Sequence, residues 1–114
     1  MSSNPFDNLL EVNAVDDKIV VKLLSNRLDE LTSHAISGQL FRLLEHSDKR
    51  EMHLDLGNVE FIASTGLGLF VALHKKLQGV GRRLTLFDVN ISLYEVFEVT
   101  HLHKILDVRC KVAG

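Results

Sequence analysis

The chain has 114 residues, of which 46% are hydrophobic and 25% charged, enough for one compact core and too few for two ordinary domains. A single domain spanning 1–114, with its core at about 9–110, is therefore expected. Thirteen basic residues stand against 15 acidic ones for a net charge of −2, and without a basic patch or stripe the composition argues against direct nucleic-acid binding or attraction to an anionic membrane.

Leu9 to Ala14 and the run Ile19-Val20-Val21-Lys22-Leu23-Leu24 flank an Asp16-Asp17 turn, which predicts an opening hairpin with a largely buried second strand. Ser25-Asn26 breaks the run. Leu28, Leu31, Ala35, Ile36, Leu40, Leu43 and Leu44 then recur at spacings of three, four and seven, predicting an amphipathic helix from about Asp29 to His46. A polar link leads into Glu51-Met52-His53-Leu54-Asp55-Leu56, whose alternation has the strand period of two. Gly57-Asn58 ends it and Val59-Glu60-Phe61-Ile62 reads as an apolar connection. From Thr65 the pattern is helical through Leu67, Phe70, Val71, His74 and Leu77, and Gly79 and Gly81 bracket its end. Arg83 to Phe87 is the next strand, Leu93, Val96 and Phe97 make a short helical face, and Ile105 to Val108 is a last strand. The order β-β-α-β-α-β-α-β predicts an α/β domain whose mostly parallel sheet has four to five strands, with helices packed on one face.

Phe61-Ile62-Ala63-Ser64-Thr65-Gly66-Leu67-Gly68-Leu69-Phe70 carries most of the chemistry, because a strand exit runs through two hydroxyls and two glycines into a helix. Ser64 or Thr65 is expected as the helix N-cap, and the glycines allow close packing. A hydroxyl there can also carry a phosphate, which free N–H groups and the helix dipole favour. A dinucleotide site fits less well: Gly66-x-Gly68 and Asp88 are placed for it, but Val71 stands where a third small residue is needed. No Gly-Lys-Ser or Gly-Lys-Thr supplies a triphosphate loop. His101-x-His103 has no nearby cysteine to complete a metal site, and no catalytic set has a sequence signature. No cofactor, no metal and no enzymatic activity are expected. Cys110 is the single cysteine, so an internal disulfide is excluded; it is expected to be a buried or half-buried small hydrophobe in a reducing compartment. No stretch reaches membrane-spanning length and the start has no leader pattern, which predicts a cytoplasmic protein without membrane insertion.

Ser64-Thr65-Gly66-Leu67-Gly68 resembles the Asp-Ser-Ser-Gly-Leu-Gly motif of STAS domains of the anti-sigma factor antagonist type. Arg27-Leu28-Asp29 is similar to that family's start of the first helix, and Met52 to Leu56 to its strand before the motif. Gly79-Val80-Gly81-Arg82-Arg83-Leu84 looks like its glycine turn, and Thr100-His101-Leu102 sits where it has Thr-Gly-Leu. His101 departs from glycine, and Ala63 stands where the family has aspartate.

The resemblance implies partner switching with an anti-sigma factor that is also a serine kinase. Binding of the unphosphorylated module frees the sigma factor, and phosphorylation ends the binding. Thr65 is the implied acceptor and Ser64 the second candidate. The implied partner-binding face comprises Asp29, Ala63, Ser64, Thr65, Gly66, Leu67, Leu69 and Phe70, with an exposed apolar surface expected around Leu67, Leu69 and Phe70. A monomer or weak homodimer is expected. The alternatives are a STAS-type subunit of a lipid or anion transport complex and a small ligand- or nucleotide-binding protein.

Overall fold

The computed structural model describes residues 9–111. β1 (Leu10–Val15) and β2 (Lys18–Leu23) pair antiparallel and close with Val15 opposite Lys18, leaving Asp16 and Asp17 as the turn. Asp16 has φ 54°, a left-handed value that Asp tolerates better than most residues and that tight hairpins require. β3 (Arg27–Leu28) leads into α1 (Glu30–His46), followed by β4 (Glu51–Asp55) and β5 (Phe61–Ile62). Then come α2 (Ser64–Gln78), β6 (Arg83–Val89), α3 (Ile91–Val99), a 3-10 turn (Leu102–Lys104) and β7 (Asp107–Cys110).

Five strands form one sheet in the order β1-β2-β4-β6-β7, in which only the β1–β2 pair is antiparallel. Ile19, Met52 and Leu84 lie abreast, as do Val21, Leu54 and Leu86, and all six are buried. The alternate residues Lys18, Val20, Glu51 and His53 are only half-buried, so the helices cover one face. Against that face α1 sets Ile36, Leu40 and Leu44, while α2 sets Phe70, Leu73 and Leu77. Each such fully buried side chain contributes about 1.5–3 kcal/mol. Arg82 ties the lower end together, its Nε donating to the Lys49 carbonyl at 2.6 Å and its Nη1 to the Leu44 carbonyl at 3.2 Å. Those acceptors lie at and just past the end of α1, where carbonyls otherwise lack partners. No helix among the described residues is long and apolar enough to cross a membrane.

Four expectations need correction. Leu31 is 71% exposed, because the inward stripe runs Ser33, Ile36, Leu40, Leu44 and Leu31 falls outside it. Phe61 and Ile62 are more than a connection, since β5 pairs in parallel with β3 as a second, two-stranded sheet. The last strand starts at Asp107, after the 3-10 turn, and Ile105 is 53% exposed. Cys110 is exposed, lying on β7, one of the two edge strands of the sheet.

Candidate functional site

The small β3–β5 pair sets the geometry of the motif. Leu28 lies beside Ile62, and the Ala63 N–H donates to the Leu28 carbonyl at 2.9 Å. The next residues, Asp29 and Ala63, are the N-caps of α1 and α2, so the two helices start side by side. Their positive ends share one edge of the molecule.

The two starts differ in chemistry. Asp29 Oδ1 accepts from the Thr32 N–H at 2.9 Å, and that backbone bond, joined by one to the Thr32 side chain, holds the carboxyl below its ordinary pKa. α3 is capped likewise: Asn90 Oδ1 accepts from the Leu93 N–H at 2.9 Å, while its Nδ2 donates to the Val59 carbonyl at 3.1 Å. α2 has no side-chain cap, because its N-cap is Ala63. Neither Ser64 nor Thr65 caps the helix as expected, since both are already inside its first turn. The Gly66 and Leu67 N–H groups donate to the Ala63 carbonyl at 2.9 and 3.2 Å. By position, the Ser64 and Thr65 amides have no intrahelical acceptor.

Placing a carboxylate at the cap is therefore expected to stabilise the fold. Ala63→Asp should add about 1 kcal/mol and raise Tm by roughly 4–8 °C. A calorimetric melt that does not move would show that these N–H groups gain nothing from a cap.

The motif residues separate into two sets. Ser64 and Thr65 are exposed, Ala63 and Leu67 half-exposed, and Gly66 buried. A Cβ on Gly66 would lie 2.8 Å from Ile62 Cγ2, 3.2 Å from Ser33 Oγ and 3.3 Å from Leu28 Cβ, so the glycine serves close approach of α1, α2 and β3. Leu69 and Phe70 are 6% and 0% exposed. They belong to the core, which overturns the exposed surface expected around them: the α2 residues facing α1 and the sheet are the ones that bury.

The apolar groups exposed near the motif are Leu31 in the first turn of α1 and Phe61 on β5, 71% and 40% exposed. The Arg27 guanidinium sits 4.4 Å from the centre of the Phe61 ring. Sequence reasoning missed both as surface residues. The signal was present in α1, where Ile36, Leu40 and Leu44 project back onto Ser33 and past Leu31.

Other sequence candidates fall elsewhere. His103 Nδ1 lies 3.2 Å from the Phe97 carbonyl, and the His101 and His103 rings stack at 6.5 Å. Among the described residues no group of three or more His, Cys, Asp or Glu is placed to hold a metal ion. Strand order follows chain order across the whole sheet, so the strand-order reversal that creates a nucleotide crevice in doubly wound sheets is missing beside Gly66 and Gly68.

A family model described as the STAS domain matches residues 11–113. The anti-sigma F factor antagonist of Paenibacillus polymyxa is 26% identical over 90 residues, covering 79% of this chain and 77% of that protein. A solved anti-sigma-factor antagonist (STAS) domain protein from Planctomyces limnophilus superposes with TM-score 0.80 at 22% identity, over 90% of this chain and 91% of that one. The Bacillus anti-sigma factor antagonist SpoIIAA superposes in its unphosphorylated form with TM-score 0.73 at 18% identity, over 87% of this chain and 86% of that one. Its phosphorylated form gives TM-score 0.66 at 18% identity, over 87% and 89%.

Proposed function

The chain belongs to the STAS domain family, and from that premise we propose that it is a regulatory module of the anti-sigma factor antagonist type, which acts by binding a protein and not by turning over a substrate. Its partner in this reading is an anti-sigma factor that also acts as a serine kinase. Relatives named as anti-sigma factor antagonists support the regulatory role. The observation that carries the reading is the pair of exposed hydroxyls, Ser64 and Thr65, at a helix start that no side chain caps.

Thr65 is the acceptor and Ser64 the second candidate, within a docking face formed by Asp29, Ala63 and Leu67 and extended by exposed Leu31 and Phe61, while buried Gly66 drops out of the expected face. Phosphorylation adds roughly two negative charges. The start of α2 stabilises added charge by about 0.3–1 kcal/mol, and Ala63 places no competing carboxylate there. At a tight interface the same charge must be desolvated or repelled, which costs several kcal/mol. The fold keeps its stability and the complex loses affinity.

Thr65→Glu is accordingly expected to leave Tm nearly unchanged and to weaken kinase binding at least about tenfold, or about 1.4 kcal/mol. Thr65→Ala should bind constitutively. The test is incubation with ATP and the anti-sigma kinase, followed by mass spectrometry to locate phosphate and calorimetry to measure binding. An active kinase that binds yet leaves Thr65 and Ser64 unmodified would reduce the module to a binder without a switch.

A further inference from the structure

Thr65 does not stand alone on the surface. It lines a cleft of about 250 Å³ between α1 and α2 together with Ser33, His34, Ser37 and Gly68. Ser33 is 2% exposed, and its Oγ has no hydrogen-bond partner among the described residues. That oxygen lies 3.2 Å from where a Gly66 Cβ would stand, against the first turn of α2. A buried hydroxyl left unpaired is costly, and here it borders the helix start whose N-cap, Ala63, offers no acceptor.

We propose that this cleft is a receiving site for the phosphate of phosphorylated Thr65, with His34 and Ser37 as its donors from α1 and Ser33 as its floor. The proposal rests on phosphorylation of Thr65 as read above. The chemistry that recognises a phosphate monoester converges here. An imidazole presents an N–H in either protonation state. Serine hydroxyls rotate to donate, the Ser64 and Thr65 amides lie at the positive end of α2, and charge-assisted bonds to a dianion exceed neutral ones. Among the described residues the Ser33 hydroxyl has no hydrogen bond to give up when it turns toward the cleft. The modification then does two things: it removes the binding face from the partner, and it draws the phosphate toward α1. His34 and Ser37 are positioning residues for the switched state and take no part in the unmodified one.

The experiment is made independent of any kinase by genetically encoding phosphothreonine at position 65 of the full chain and following its 31P resonance against pH. Donors and a helix start that favour the dianion lower the second phosphate pKa below the value of about 6 found for a solvated phosphate. The expected result is a pKa lower by roughly half a unit or more in the parent, returning toward the solvated value in His34→Ala and Ser37→Ala. Both positions lie outside the core, so the variants should retain the parent melt; Ser33→Ala, which removes one oxygen, supplies a third comparison. Identical 31P titrations in parent, His34→Ala and Ser37→Ala would overturn the cleft as a phosphate site. Failure of the kinase to modify Thr65 would instead count against the switch alone, because the encoded phosphate reports on the cleft without it.

Discussion

Phe70→Ala is expected to destabilise the domain by about 3–5 kcal/mol, the largest loss foreseen for any position in the motif helix. Phe70 is fully buried, and its ring lies 6.4 Å from that of Phe97, so truncation opens a cavity between α2 and α3. Total stability of a domain this size is about 5–15 kcal/mol, and the variant is left with a small margin or none. Leu31→Glu separates folding from docking. Leu31 is 71% exposed, so that change should leave the melt within about 0.5 kcal/mol of the parent while weakening capture of the partner. Thermal and urea unfolding with matched binding measurements read both. A Phe70→Ala protein that melts like the parent would mean that the α2–α3 contact contributes little to the core.

The second large effect concerns the two glycines of the motif, which are expected to respond with opposite signs. At Gly66 even a Cβ would lie 2.8 Å from Ile62 Cγ2, with Ser33 Oγ and Leu28 Cβ close behind. These are short side chains held by three different elements and have little room to withdraw. Overpacking of this kind costs about 1–3 kcal/mol, and the branched side chain of Gly66→Val adds methyls to it, for a loss of roughly 3 kcal/mol or more. A Cβ on Gly68 meets nothing within 4 Å, and Gly68→Ala should gain about 0.5–1 kcal/mol from the helix interior. Urea midpoints measured at constant m check both signs. A stabilised Gly66→Val would show that α1 and α2 separate freely.

Periodicity made most of this architecture legible. The runs at Ile19–Leu23 and Met52–Leu56 and the helical stripe Ile36, Leu40, Leu44 each bury one face, and one-face burial is what a period of two or 3.6 encodes. The pairing of β3 with β5 escaped notice because two residues carry no period. Its consequence, that the starts of α1 and α2 are neighbours, was hidden for the same reason. In the motif, Ser64 and Thr65 read as a helix cap but lie exposed inside the first turn, and the helix phase was misjudged too: Leu69 and Phe70 follow Gly66 inward as part of the stripe Gly66, Leu69, Phe70, Leu73, Leu77. His101 in the place of the family's glycine has a visible physical meaning only in three dimensions. Its φ of 60° is the left-handed value glycine adopts freely, and the histidine holds it at the entrance to the 3-10 turn.

The march of the sheet from β1 to β7 in chain order also bears on how the protein is made. During synthesis each later strand of the five-stranded sheet has a neighbour already made when it emerges: β2 has β1, β4 has β2, β6 has β4, and β7 has β6. Within the five-stranded sheet no strand must wait for a later segment to insert between it and the strand before it, and the longest delays are the two crossovers containing α1 and α2; only β3 waits, for β5. Parallel pairing is slow and leaves edges exposed when a partner is still missing. An order of this kind permits growth by addition at a single edge, with the antiparallel β1–β2 hairpin at its origin and one new unpaired border at each step.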